Sequence, residues 1–319
     1  MSRLQIPVET ETLSNSVGIV HSRFFLTRRS FLSAAGSIMS LTLLSSSELK
    51  KAIAAQSAEQ RLAAIEARLG GRLGVAALDT RDGKRIEHRD SERFPMCSTF
   101  KFLLVAAILA RVDANHEKLD RFIRYTTADL LDYAPITKAH VQEGGMTISA
   151  LCAAAIEYSD NTAANLLLNV LGGPPAVTHY ARSLGDTVTR LDRNEPTLNS
   201  AIPGDPRDTT CPSAMLGDLK TILVGEHALS AASRQQLEAW MMANTTGADK
   251  LRAGMPPAWR IGDKTGNGSN GSLNDIAICR PPDRAPILVA AYFVGSRASL
   301  AERSGALAQV GRIVAAEFS

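Results

Sequence analysis

The stretch MCSTFKFLLVAAIL, residues 96–109, sets a serine and a lysine, Ser98 and Lys101, at the head of a long apolar run. Three positions apart on a helix, their side chains share one face, so the amine can reach the hydroxyl. A serine hydroxyl is a weak nucleophile until an adjacent base takes its proton. A helix N-terminus adds unpaired backbone N–H groups that stabilise negative charge. The spacing alone is common, because any core helix can carry a lysine near its start. Two further clusters single it out: Ser159-Asp160-Asn161 at a joint between helical patterns, and Lys264-Thr265-Gly266 at the end of a strand-like run that faces the edge of a sheet.

The elements that must position these groups follow from periodicity. GRLGVAALDT and RIEHRD flank Asp82-Gly83 and predict a β-hairpin. From about Thr99 to Met242 apolar residues recur at three and four spacing, as in TISALCAAAIEY, NTAANLLLNVLG, PAVTHYARSLG, PSAMLGDLKTILVG and AASRQQLEAWMMAN. After Pro257 come three strand-like runs, AWRIGDKTG, SLNDIAICR and PILVAAYFVG, and then the amphipathic LAERSGALAQVGRIVAAEF. The expected fold is α+β: one antiparallel sheet built from both termini, an inserted all-α part, and a site at their junction. The expected boundaries are 56–95 and 243–319 for the sheet-bearing part and 96–242 for the helical part. Residues 189–210, TRLDRNEPTLNSAIPGDPRDTT, are polar, carry three prolines and no period. A loop this long in a compact domain is functional or disordered. Asp192, Arg193, Glu195, Asp205, Arg207 and Asp208 can pin it internally, so an ordered Ω loop is expected.

The net charge of +3 is spread along 319 residues with no basic stripe, which argues against nucleic acid as a partner. Four cysteines without a CxxC, and six histidines without HxH or HExxH, argue against a disulfide framework and a structural or catalytic metal. No cofactor is expected. Before residue 56, Arg28 and Arg29 are followed by Phe31-Leu32, a short and weakly apolar Ser/Ala/Leu stretch, and Ala52-Ile53-Ala54. That stretch is a poor membrane span. The pattern resembles a twin-arginine export signal with a small-x-small cleavage site, so residues 1–55 are expected to be a leader. It implies transient partners in the twin-arginine translocase and signal peptidase, a periplasmic mature chain beginning near Ala55 or Gln56, and no membrane anchor.

S-x-x-K, S-D-N and K-T-G in this order, with EPTLN between the second and third, resemble the class A serine β-lactamases. The resemblance covers the chain from about residue 60 to its end. It is closest in character to the chromosomal, Tat-exported L2-type enzymes of Gram-negative bacteria, and it also rests on RFPMCSTFK, GGPPAVT and GDPRDTT. It implies a β-lactamase/D,D-peptidase-like fold, β-lactam hydrolysis that confers antibiotic resistance, and a monomer. Residue by residue, Ser98 is the implied nucleophile and Lys101 accepts or relays its proton. Ser159 protonates the leaving nitrogen beside Lys264, and Asn161 binds the substrate's side-chain amide. Lys264 and Thr265, with Gly266, hold the substrate carboxylate. The N–H groups of Ser98 and Asn267 form the oxyanion hole, and Tyr133 walls the cleft. Glu195 is the implied deacylating base and Asn199 helps to fix its water. A cis peptide before Pro196 and an Arg193–Asp208 ion pair are family features. The resemblance leaves both Lys101 and Glu195 open as the acylation base.

The sequence departs from the family at several points. Gly268 stands where some members carry a cysteine that bridges to the one before the nucleophile, and Val105 stands where others bridge to the Cys152 position. Leu273 stands where many carry an arginine that grips the carboxylate, and Lys250 is the candidate replacement cation. A D,D-peptidase shares the three motifs but lacks the Glu195 and Asn199 pattern. A penicillin sensor needs a membrane segment in addition.

Overall fold

A computed structural model describes residues 56–319; the expected leader lies outside them. The chain first forms α1 (Ala58–Leu69), whose N-terminus Ser57 and Gln60 close as a reciprocal capping box. Periodicity had not singled out this helix. A five-stranded antiparallel sheet follows, built from β1 (Arg72–Asp79) and β2 (Arg85–His88) near one end of the chain and β7 (Arg260–Asn267), β8 (Leu273–Arg280) and β9 (Ile287–Val294) near the other. The spatial order is β2-β1-β9-β8-β7, so the strand with Lys264 and Thr265 is an edge. β9 is buried along its whole length, because helices cover both faces of the sheet. That is why it reads as a continuous apolar run.

On one face lie α1 and the closing helix α10 (Leu300–Phe318), packed through Leu62, Ile65, Leu307, Val310, Val314 and Phe318. On the other lies the helical part, centred on α2 (Phe100–Asp113). Phe100 to Leu109 are all buried. A helix apolar all round belongs inside a core, and α2 is surrounded by α4 (Ile148–Glu157), α5 (Asn161–Leu171), α6 (Pro174–Ser183) and α8 (Ala231–Met242). α7 (Pro212–Leu223) packs on β1 and β9. Residues 56–319 make one compact unit.

The expected all-α part needs one correction, since it carries short strands. β4 (Phe122–Arg124) pairs with β5 (Gly145–Thr147), and β6 (Thr209–Thr210) at the end of the 189–210 loop pairs with β3 (Phe94–Pro95). Segments of two or three residues are too short to show a period of two. Two small helices, α3 (Pro135–His140) and α9 (Leu251–Gly254), complete the chain. Among the described residues no helix is long and apolar enough to cross a membrane.

Candidate active site

Ser98 sits in a tight 3-10 turn, Cys97–Thr99, that runs into α2. Cys97 has the left-handed backbone angle φ 46°, which turns the chain so that Ser98 and Lys101 meet at the helix start. The Lys101 ammonium is wholly buried. It donates to Ser98 Oγ at 3.0 Å, to Ser159 O at 2.8 Å and to Asn161 Oδ1 at 2.7 Å, and it pairs with Glu195 Oε1 at 3.0 Å. Ser98 Oγ in turn donates to Glu195 Oε1 at 3.2 Å. One hydroxyl thus lies between a buried cation and a buried anion. Burial pushes the Lys101 pKa down, against the opposing pull of Glu195.

Ser159 and Asn161 hang from the joint between α4 and α5. Asp160 holds that joint: its carboxylate caps α5 at Ala163 N and accepts from Ile136 N, Thr137 N and the Thr137 hydroxyl. β7 brings the second ammonium. Lys264 Nζ donates to Ser159 Oγ at 3.0 Å and to Thr265 O at 2.9 Å. Burial, and then the neighbouring charge of Lys101, push the Lys264 pKa well down. The strand passes hard against the Cys97–Thr99 turn: a Cβ on Gly266 would lie 2.7 Å from Met96 O. Only glycine allows this approach, and it carries the Asn267 backbone to the side of Ser98.

The 189–210 loop is ordered by its own charges, as the Arg190–Asp192, Arg193–Asp208 and Arg207–Asp205 pairs show. Asp208 also accepts from the backbone N–H groups of Asp192 and Arg193. The Glu195–Pro196 peptide is cis. Asn199 Nδ2 donates to Glu195 Oε2, while its buried Oδ1 has no partner among the described residues. Asn165 was not anticipated, yet it grips Glu195 from both sides. Its Nδ2 donates to Glu195 O at 2.9 Å and its Oδ1 accepts from Glu195 N at 3.0 Å. Its sequence signal was position: Asn165 follows Asn161 by four residues on one helix face.

The cleft in front of these groups has a volume of about 310 Å³ and is lined by Ser98, Tyr133, Ser159, Asn161, Asn199, Thr265, Gly266, Asn267, Lys250 and Leu273, with Thr246 and Leu300 as unanticipated members. Lys101, Lys264 and Glu195 lie behind this lining. Tyr133 is about half exposed at the mouth. Lys250 does not extend into solvent. Its side chain is 11% exposed, and its ammonium donates to Asp249 Oδ1 at 2.6 Å and Thr246 O at 2.9 Å. The structure therefore places it at the cleft, already paired. All four cysteines are free and buried, and burial pushes the Cys97 thiol up to about 12.

This arrangement can activate one serine for acyl transfer, and comparison with known proteins gives the family. The Beta-lactamase enzyme family matches residues 57–318. The chain is 47% identical to Beta-lactamase OXY-2 of Klebsiella oxytoca over 255 residues, 80% of this chain and 87% of that one. It is 46% identical to Beta-lactamase Toho-1 of Escherichia coli over 291 residues, 91% and 98% of the two chains. Among solved structures, an ancestral (GNCA) class A β-lactamase is 58% identical, with a TM-score of 0.81, over 82% of this chain and all of the other. The chain belongs to the class A β-lactamases. It is accordingly an enzyme that hydrolyses β-lactams.

Proposed function

We propose that Ser98, Lys101, Ser159 and Glu195 hydrolyse the β-lactam amide through an acyl-serine intermediate. The observation that carries this reading is Ser98 Oγ, held within hydrogen-bond reach of both a buried ammonium and a buried carboxylate. In acylation Oγ adds to the lactam carbonyl carbon while its proton passes to the Lys101–Glu195 pair. The N–H groups of Ser98 and Asn267 receive the charge on the carbonyl oxygen. As the ring C–N bond breaks, Ser159 gives its proton to the nitrogen, and Lys264 offsets the charge left on Oγ. Asn161 engages Lys101 through Oδ1, which leaves its Nδ2 to donate to the substrate's side-chain amide. Lys264 and Thr265 hold the carboxylate along the glycine-lined strand, Lys250 supplies a second cation at the far end, and Tyr133 walls the mouth. In deacylation a water held by Glu195 and the free Asn199 Oδ1 attacks the ester, and Glu195 takes its proton.

The test is Glu195→Gln mixed with benzylpenicillin. Mass spectrometry should show a persistent adduct on Ser98, because acylation continues and the water has lost its base. Free enzyme turning over near the wild-type rate would overturn the role of Glu195.

We also propose that the mature chain is a periplasmic monomer exported by the twin-arginine route, in the manner of the L2-type enzymes. The Arg28-Arg29 pair ahead of Phe31-Leu32 supports this, as does the small-x-small site at Ala52-Ile53-Ala54. Replacing both arginines with lysine should leave active, folded enzyme in the cytoplasm. Unchanged periplasmic activity in fractionated cells would exclude this route.

A further inference from the structure

A second cavity, of about 350 Å³, lies between the 189–210 loop and the ends of β1 and β9, away from the cleft that holds Ser98. Its floor is apolar, with Pro95, Leu198 and Val294, and its outer wall is the loop segment 201–207, where Ile202 is 51% exposed. Four guanidinium groups line it, those of Arg72, Arg93, Arg193 and Arg207, against a single lining carboxylate, Asp205.

The partners of these arginines are unequal. Arg72 pairs with Glu92 at 2.7 Å and Arg207 with Asp205 at 2.7 Å. Arg193 uses only Nε, on Asp208, and among the described residues its two terminal nitrogens make no hydrogen bond. Arg93 has no carboxylate within ion-pair distance among the described residues. One terminal nitrogen donates to two neutral oxygens, Val188 O at 2.9 Å and Thr209 Oγ1 at 3.0 Å. Arg93 and Arg193 therefore present unused donors, arranged as planar forks, to an apolar-floored space of ligand-binding size.

The geometry points to a second binding site at this cavity for a carboxylate carried on a compact apolar body, such as an arylalkanoate. The anion meets the free edges of Arg93 and Arg193, and the apolar body lies over Leu198 and Pro95. The loop wall continues directly into the catalytic groups. Leu198 precedes Asn199, which holds Glu195, and Asn270 Nδ2 ties Ser200 O and Ala201 O to the β7–β8 turn. Occupancy thus acts on the step that Glu195 and Asn199 govern, which is deacylation. This consequence rests on the function proposed above; the binding itself does not.

The probe is 4-phenylbutyrate, titrated by calorimetry into the mature protein whose cleft is first blocked by a boronic acid on Ser98. The expected result is saturable binding that weakens at least about tenfold in Arg93→Met, a loss of about 1.4 kcal/mol. Ile202→Asp, an exposed change that sets a like charge at the mouth without touching the core, should weaken it as well, and both variants should keep basal hydrolysis. In the unblocked enzyme, saturating probe should change the rate of acyl-enzyme decay while leaving the acylation rate as it was. Absence of saturable binding in the blocked protein, or binding indifferent to both substitutions, overturns the site. Binding that leaves acyl-enzyme decay unchanged overturns its coupling to the loop. Failure of the boronic acid to bond Ser98 counts instead against the nucleophile assignment, and binding is then measured in Ser98→Ala with the Arg93→Met comparison deciding the same question.

Discussion

Asp218, on α7, is buried under α6 and the start of the 189–210 loop, where its carboxyl meets that of Asp186. Asp186 uses one oxygen to accept from Val188 N and Thr189 N, and among the described residues the Oδ2 atoms of both acids have no hydrogen-bond partner. A buried carboxyl beside a second carboxylate ionises only at high cost, so Asp218 keeps its proton. Burial first, and the Asp186 charge second, push Asp218 up to about 9, and the nearby Arg182 offsets this only in part. The sign of the linkage follows. Between the ordinary carboxylate range and about pH 9 the native state keeps a proton that the unfolded chain has released. Stability from this group is complete at acid pH and is lost as pH rises through that window. One extra bound proton corresponds to a slope of about 1.4 kcal/mol per pH unit. Asp218→Asn keeps an N–H donor toward Asp186 and does not titrate. Urea unfolding at pH 5, 6, 7 and 8 should therefore give a wild-type stability that falls with pH more steeply than the variant's, by up to about 1.4 kcal/mol for each unit. For a domain of this size about 1 kcal/mol corresponds to 2–4 °C in Tm, so calorimetry can follow the same difference. Parallel wild-type and variant curves would refute the proton retained on Asp218.

Two further outcomes follow from the cleft. Lys250→Ala should raise KM for benzylpenicillin about three- to tenfold with little change in kcat, the effect of losing a partly exposed ion pair worth about 1 kcal/mol; salt should inhibit the wild type more than the variant, and an unchanged KM would place the second cation elsewhere. Gly268→Cys should form a disulfide with Cys97, since a Cβ there lies 2.6 Å from Cys97 Sγ; thiol titration of the unfolded, air-oxidised variant should find two thiols fewer than in the reduced form, and a full count would show that the nearby Asn199 O, 2.8 Å from the same Cβ, blocks the bond.

What the sequence revealed depended on how far each signal reaches along the chain. α10 begins and ends where its periodic run does, because a long amphipathic pattern is set by local residues. β8 and β9 lie within the runs read as strands, and β7 passes the end of its run by one residue, Asn267. α1 escaped although Ser57 and Gln60 spell its capping box, a signal of two residues rather than of a period. β4, β5 and β6 escaped because pairing across the fold, rather than local pattern, makes a strand of two or three residues. At the site, the motifs named the groups that bear charge or a hydroxyl. Asn165, Thr246 and Leu300 reach it from segments with no motif, and only folding brings them there. Lys250 shows the converse. Its position suggested a free cation, but Asp249, its neighbour in sequence, is also its partner in space.

The residues proposed to do the chemistry are also those the fold holds at a cost. Cys97, before Ser98, and Ser159 itself both have left-handed backbone angles, φ 46° and 58°, a conformation that costs a residue with a Cβ about 1–2 kcal/mol. Two ammonium groups, Lys101 and Lys264, lie fully buried within reach of the same Ser159 hydroxyl. None of this helps the domain to fold, since burying a charge costs several kcal/mol before any partner is counted. It persists because rigid neighbours fix each strained unit. Asp160 fastens the Ser159 joint, Gly266 lets β7 press on the Cys97 turn, and Asn165 clamps Glu195 to α5. The apolar helix α2 and the two-sided sheet supply the stability that offsets the cost. Burial, in turn, is what makes the site work. It depresses both lysines and strengthens the electrostatic contacts that join Ser98, Lys101 and Glu195.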